Sequence, residues 1–487
     1  MATLIQTREV IVPRPVPPKA SGREQFLKWA VIILPGTALY FTPTSGMAAN
    51  QRHLLAIFLA TIIGLIVRPV AMGLVAFLGM STVAMTRAVP ANTILSGFGN
   101  PTVWLIFCAF IFARAVTATQ LGSRVAYLFI RRFGSSALSL GYSIAAADVV
   151  LAPFVPSDTA RGGGIIYPIV RSVAKAFDSE PGPTAKRLGN YLVLVGFHTT
   201  YVASAMFLTG MAANVVIADF ARKIAHVDLT WMRWMIGAIV PGILTLFLVP
   251  YLLYALAPPI VRNTSPAREL AGIELQKMGR TSRNERWLMA IMLAVMAGWI
   301  TSPWHGISNT IIALVGVSTI LLAQVLRWEE MLSESKAWDA LIWFGAVIMM
   351  AEALQQQGVI ALLSGVVFRH IEGWAWMLAF VLLMITYLYI HYGFASMTAH
   401  IVALYPGFLA TAIAVGVQPM LAALGFAYFS NLNAGITHYG TGSAPVYFGE
   451  GYVSLGEWWK LGFILSLVNL VVWLGLGMVW WKLLGWW

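Results

Sequence analysis

The sequence predicts an all-α polytopic membrane protein, and three observations lead there. Of its 487 residues, 59% are hydrophobic and only 10% are charged, against the roughly 25% charge a water-soluble domain carries. The mean hydropathy is +0.78. Apolar runs recur along the whole chain: Trp29–Ala48, Leu54–Val67, Val103–Phe112, Met235–Leu256, Trp287–Ile300 and Trp374–Ile390. Several approach the ~20 residues that cross the hydrocarbon layer, and the shorter ones require neighbours or a re-entrant path. The expected architecture is about eleven transmembrane helices plus two re-entrant hairpins.

The remaining composition fits that class. Nineteen tryptophans, including Trp458-Trp459 and Trp480-Trp481, suit an aromatic belt at the membrane interface. The single cysteine, Cys108, excludes an internal disulfide and reads as packing. The net charge of +12 follows from basic cytoplasmic loops rather than a nucleic-acid surface. No cleavable signal is read in the polar, Pro-rich start, and a plastid transit peptide is not expected from it.

Basic residues collect in four segments: the tail with Arg8, Arg14, Lys19, Arg23 and Lys28; Arg124, Arg131 and Arg132; Arg171, Lys175, Lys186 and Arg187; and the linker Pro258–Arg286. All four are expected on the cytoplasmic side. The stretch Ser136–Phe177 then leaves and returns on one side, as a re-entrant hairpin whose polar tip Pro156–Gly164 must be buried in protein or face a wet cavity. The expected divisions are a cytoplasmic tail over 1–28, a first repeat over 29–257 (hairpin 136–177, broken helix near 209–214), a cytoplasmic linker over 258–286, and a second, inverted repeat over 287–487 (hairpin about 374–416, broken helix near 437–442).

The repeat is read from landmarks in the same order. Trp104-Leu105-Ile106-Phe107 leads to Gln120-Leu121-Gly122, and Leu341-Ile342-Trp343-Phe344 leads to Gln356-Gln357-Gly358. The pentad Ser157-Asp158-Thr159-Ala160-Arg161 follows the first set, and Ser396-Met397-Thr398-Ala399-His400 follows the second. A proline on the returning arm comes next, Pro168 or Pro406, and then a polar interruption, Thr209 to Asn214 or Thr437 to Gly442. Polar pentads with a cationic end are costly in hydrocarbon, which marks both as functional candidates. Facing tips at the midplane would expose helix N-termini that hold carboxylates.

Ser157, Thr159, Ser396 and Thr398 add hydroxyl donors, Arg161 a planar fork for a carboxylate, and His400 a second, pH-sensitive charge. Asp158 and Met397 complete the tips, and Thr209, Asn214, Thr437 and Thr441 are the expected walls from the broken helices. Such a site suits an anion with two or three carboxylates. Each hydroxyl also has a plainer use in bonding a backbone carbonyl, and Arg161 a structural pairing with Asp158 one turn back. Arg114, Asp148, Asp219 and Glu352 read as helix-end or paired charges. His391 and His438 read as satisfied histidines; no cluster has metal-ligand spacing, and no cofactor is expected.

These residues resemble the divalent anion/sodium symporter family, within it the citrate/succinate and tartrate/succinate antiporters and the 2-oxoglutarate/malate translocators. The matching stretches are Leu151–Arg161, Phe394–His400 and Leu432–Tyr452. The resemblance implies a homodimer with a scaffold domain and a transport domain, elevator-like alternating access, and Ser-Asn-Thr tips that bind substrate carboxylates. It also implies that Arg161 and His400 are the fixed basic groups of an exchanger. Asp158 and Met397 depart from the tip pattern. Asp158 would be neutralised by Arg161, protonated when substrate binds, or matched to a different substrate.

The expected function is therefore exchange of di- or tricarboxylates of the succinate, malate, 2-oxoglutarate, tartrate or citrate class, in the inner membrane of a bacterium with the N-terminus cytoplasmic. A sodium- or proton-coupled symporter is the alternative. An intramembrane enzyme lacks an evident nucleophile–base pair or metal motif, and closed tips disfavour a channel.

Overall fold

A computed structural model describes residues 22–44 and 46–487. The chain is all-helical, with no strand among the described residues beyond an isolated bridge between Ser136 and Asn263. Among the described residues, eight helices are long and apolar enough to cross a membrane: Ala49–Val67, Ala91–Thr119, Trp231–Leu256, Arg283–His305, Ser335–Gln356, Trp376–Gly393, Met397–Ala414 and Leu455–Leu483.

Among the described residues the chain begins with the helix Gly22–Phe41, which starts seven residues before the apolar run at Trp29. Glu24 and Lys28 pair one turn apart at 3.0 Å and carry the helix through its polar start. The rest of the predicted tail, Met1–Ser21, lies outside the described residues. This helix packs on Ala49–Val67, which packs in turn on Met72–Thr86 and on Ser335–Gln356. Gly36 permits the first approach, since a Cβ there would stand 2.9 Å from that of Ala60.

The linker is not structureless. Ser265–Met278 is a helix with Pro266 in its first turn, and it buries Ala267, Ala271 and Leu275, spaced at i, i+4 and i+8, against Leu121–Phe133. The next helix starts at Arg283 through a capping box between Ser282 and Glu285. The linker is stitched to two other basic segments: Arg268 Nε donates to Arg131 O at 2.9 Å, and the Ile260 and Val261 amides donate to Lys186 O and Arg187 O at 3.0 and 2.9 Å. Three of the four basic clusters therefore share one face of the molecule.

Among the described residues, four helix breaks surround the two tips, each where proline, glycine or serine interrupts an apolar run. Ala137–Leu151 stops before Pro153 and Pro156, and the chain resumes as a wide π-turn over Thr159–Ile166 and then helix Tyr167–Ala176. Three glycines and the missing amide of Pro168 make the α-helical bond pattern hard to keep here. Helix Gly189–Met206 ends at Phe207 and resumes as Ala212–Ala225. Trp376–Tyr389 passes through a 3₁₀ turn, then Met397–Ala414 follows. Pro419–Leu432 gives way to irregular chain until Ala444–Phe448. All 18 residues of Gly189–Met206 are buried, and the arms Ala137–Leu151 and Tyr167–Ala176 pack against that helix. The broken helices are the centre around which the two tips are held.

Candidate functional site

The two tips share their local geometry. Ser157 Oγ accepts the Ala160 amide at 3.2 Å, and Ser396 Oγ accepts the Ala399 amide at 3.3 Å. The amides of Arg161 and His400 reach back to the carbonyls of Ser157 and Ser396 at 2.8 and 3.1 Å. Each serine thus caps the returning helix and leaves its own hydroxyl hydrogen to donate outward.

Both tips open onto one cavity of about 160 Å³, far more than the ~10–15 Å³ one water needs. Its lining includes Ser157, Asp158, Thr159, Ser396, Met397, Thr398 and Thr441. Phe110, Trp343 and Phe344 form an apolar wall from other helices, with Met211 and Ala212 beside them. Hydroxyls and helix N-termini on one side, aromatic rings on another, suit a small anion with a short carbon chain. Larger clefts of about 650 and 710 Å³ open elsewhere, but neither contains a tip residue.

Asp158 is buried and held from across the site: its Oδ2 accepts from Thr441 Oγ1, and from Ser443 Oγ at 3.1 Å. The first tip is thereby bound to the second broken segment, 283 residues on. Gly442 makes that approach possible, because a Cβ there would overlap Thr159 Oγ1. Gly442→Ala is expected to push the first tip out of register and cut transport at least tenfold, with normal amounts of protein in the membrane. Wild-type rates in reconstituted vesicles would show that this close approach is dispensable.

Arg161 differs from its expected role. Its guanidinium is fully buried and spends all five N–H bonds within the protein. Nε donates to Asp148 Oδ1 at 2.8 Å, Nη1 to Val155 O and Gly210 O at 2.8 and 3.0 Å, and Nη2 to Thr200 O and Ser204 Oγ at 2.9 and 2.7 Å. Its ion-pair partner is Asp148, thirteen residues back across the break, and not Asp158. No donor is left for a ligand. Arg161 instead locks the first tip to the break after Met206, and with Asp148 it forms a pair of no net charge.

His400 is also absent from the cavity wall. It is fully buried among the rings of Tyr387, His391 and Phe394, at 4.4, 5.0 and 5.1 Å between centroids. Neither ring nitrogen has a hydrogen-bond partner among the described residues. It lies one turn beyond the tip, on the packed face of Met397–Ala414 rather than the face that meets the cavity.

Two of the expected wall residues hold the breaks together instead. Thr209 Oγ1 donates to Pro153 O at 2.8 Å and accepts from Trp231 Nε1 at 3.1 Å. Asn214 donates to Ser204 O and Phe207 O, both at 3.0 Å, and its Oδ1 accepts from Asn431 at 2.9 Å, joining the two broken helices. Thr437 is buried and does not line the cavity. The other charges singled out near apolar spans are paired: Arg114 lies 3.9 Å from both Glu330 and Glu334, and Asp219 and Glu352 both meet Lys223.

The family model for the sodium:sulfate symporter transmembrane region matches residues 23–487. The chain belongs to that family. It is the divalent anion/sodium symporter group that the tip motifs resemble. The putative malate transporter YflS of Bacillus subtilis (strain 168) is 43% identical over 474 residues, covering 96% of this chain and 99% of that protein. Dicarboxylate transporter 1, chloroplastic, of Arabidopsis thaliana is 43% identical over 481 residues, covering 98% of this chain and 86% of that one. The crystal structure of the Alcanivorax borkumensis YdaH transporter covers 95% of this chain and 98% of its own, with a TM-score of 0.55 at 14% identity, a likeness of fold.

In this symporter-family chain the cavity also contains Arg68, which the sequence reading passed over. Its signal was visible: an arginine that ends the apolar run Leu54–Val67, directly before Pro69. Ser443, the second hydroxyl on Asp158, and the wall ring Phe110 were missed too, and Trp343-Phe344 served only as a repeat landmark.

Proposed function

We propose that this chain is a secondary transporter of small dicarboxylates, working by exchange. The observation that carries the reading is the convergence of the two Ser-x-Thr-Ala tips on one small cavity. The names of its relatives, a putative malate transporter and a chloroplast dicarboxylate transporter, point to the same class of cargo. Ser157, Asp158, Thr159, Ser396, Met397, Thr398 and Thr441 are the proposed binding residues, with Arg161, Thr209, Asn214 and His400 placed behind them as positioning residues.

Exchange is supported by the cost of carrying hydroxyl and amide donors across the membrane without the anion that satisfies them. With Arg161 neutralised by Asp148, it does not rest on a fixed charge at that residue. The hairpins and broken helices would form a moving transport domain, and the helices around Ala49–Val67 and Ser335–Gln356 a scaffold. An inverted repeat, elevator motion, a homodimer and a bacterial inner membrane location with cytoplasmic N-terminus complete the proposal. Asp158 favours a second reading, coupled symport, because a carboxylate on the cavity wall would carry a proton or sit beside a sodium ion.

Efflux from vesicles preloaded with labelled succinate separates the two. Exchange requires an external dicarboxylate and is indifferent to sodium. Efflux into substrate-free buffer that follows sodium or pH would establish symport and reject exchange.

A further inference from the structure

Once Arg161 is tied to Asp148, the cavity loses the cation that seemed to define it. We propose that Arg68 supplies it: its guanidinium binds the carboxylate of the cargo that lies away from the tips, and so selects dianions over monoanions. This rests on the dicarboxylate reading above.

Arg68 stands at the C-terminal end of Ala49–Val67, a helix that packs against both Ser335–Gln356 and Met397–Ala414. That packing brings it to the cavity wall beside Trp343, Phe344 and the two tips. Its backbone is fixed. It takes the left-handed conformation at φ 50°, and its amide closes the helix onto Gly64 O at 2.9 Å. The carbonyl of the following Pro69 accepts from Gln25 at 2.8 Å. A non-glycine residue held at positive φ before proline is an uncommon arrangement, and here it presents an exposed side chain to the site.

No carboxylate pairs with Arg68 among the described residues, whereas Arg161, the other arginine beside the tips, is tied to Asp148. The other charged residue on the cavity wall is Asp158, whose Oδ2 already accepts two hydroxyls. The plainer reading, a cation complementing a helix C-terminus, explains Arg87 equally well. Arg87 caps Met72–Thr86 in the same left-handed conformation, at φ 53°. Yet Arg87 does not line the cavity, which makes it a control.

Binding of succinate and of monomethyl succinate is measured on the purified full-length protein, wild type, Arg68→Gln, Arg68→Lys and Arg87→Gln. In wild type, loss of the second carboxylate is expected to weaken binding about tenfold or more, the range of a charge-assisted bond. In Arg68→Gln succinate falls to the level of the monoester and the difference between the ligands vanishes, which a purely structural role would not produce. Arg68→Lys, keeping charge without the fork, falls between, and Arg87→Gln matches wild type. An Arg68→Gln protein that still discriminates the two ligands as wild type does overturns the assignment. Should that variant not fold, wild-type discrimination in Arg68→Lys, or its loss in Arg87→Gln, overturns it instead. Wild-type protein that binds neither ligand overturns the dicarboxylate reading, and this inference with it.

Discussion

Asp158→Asn is expected to tighten succinate binding about tenfold or more at neutral pH. Asp158 lines the cavity and is buried, so a bound carboxylate meets a like charge through little water. Two unit charges roughly 6 Å apart, at an effective dielectric near 20, repel by about 2–3 kcal/mol. Partial solvation reduces that, which leaves about one power of ten. Asparagine keeps the oxygen that accepts from Thr441 and Ser443, so the tip stays attached to the second broken segment. It also gains an amide that donates to the cargo. Titration calorimetry on the purified variant measures the effect. Unchanged or weaker binding would mean that the carboxylate assists the cargo, as a protonated donor or beside a cation, and would move the functional reading toward symport.

The tips and breaks could be read from the sequence because each is written in local chemistry. Serine, proline and glycine inside an apolar run leave few conformations other than a capped helix start or an interruption, so Ser157 and Ser396 emerge as caps and the chain breaks near Gly210 and Gly440. What each side chain does after the break is set by partners far along the chain. The i, i+3 spacing of Asp158 and Arg161 suggested a pair, but the guanidinium turns to Asp148, thirteen residues back, and to carbonyls on two other segments. Charge alone made His400 look like a ligand, whereas the face of its helix packs it among aromatic rings. The linker helix was obscured by its charged residues, although Ala267, Ala271 and Leu275 carry its buried face in plain spacing. Arg68 stands out in the sequence as the arginine that ends an apolar run, but only helix packing brings it to the site.

Arg161→Ala should abolish transport, and the structure gives a different reason from loss of a ligand. Removing the guanidinium leaves Asp148 buried and without its ion-pair partner, and releases four other acceptors through which Arg161 held the tip in place. Breaking one side of a buried pair costs about 3–5 kcal/mol, so thermal stability should fall together with binding. Arg161→Lys should rescue little, because an ammonium offers three donors without the planar fork that matches five acceptors. The informative protein is the double variant Asp148→Asn with Arg161→Gln. Neutralising both members removes the stranded charge, so part of the stability should return. If Arg161 acts by positioning, succinate binding returns with stability. If its charge meets the cargo, the double variant is stable and still fails to bind, and the site would have to be redrawn with Arg161 inside it.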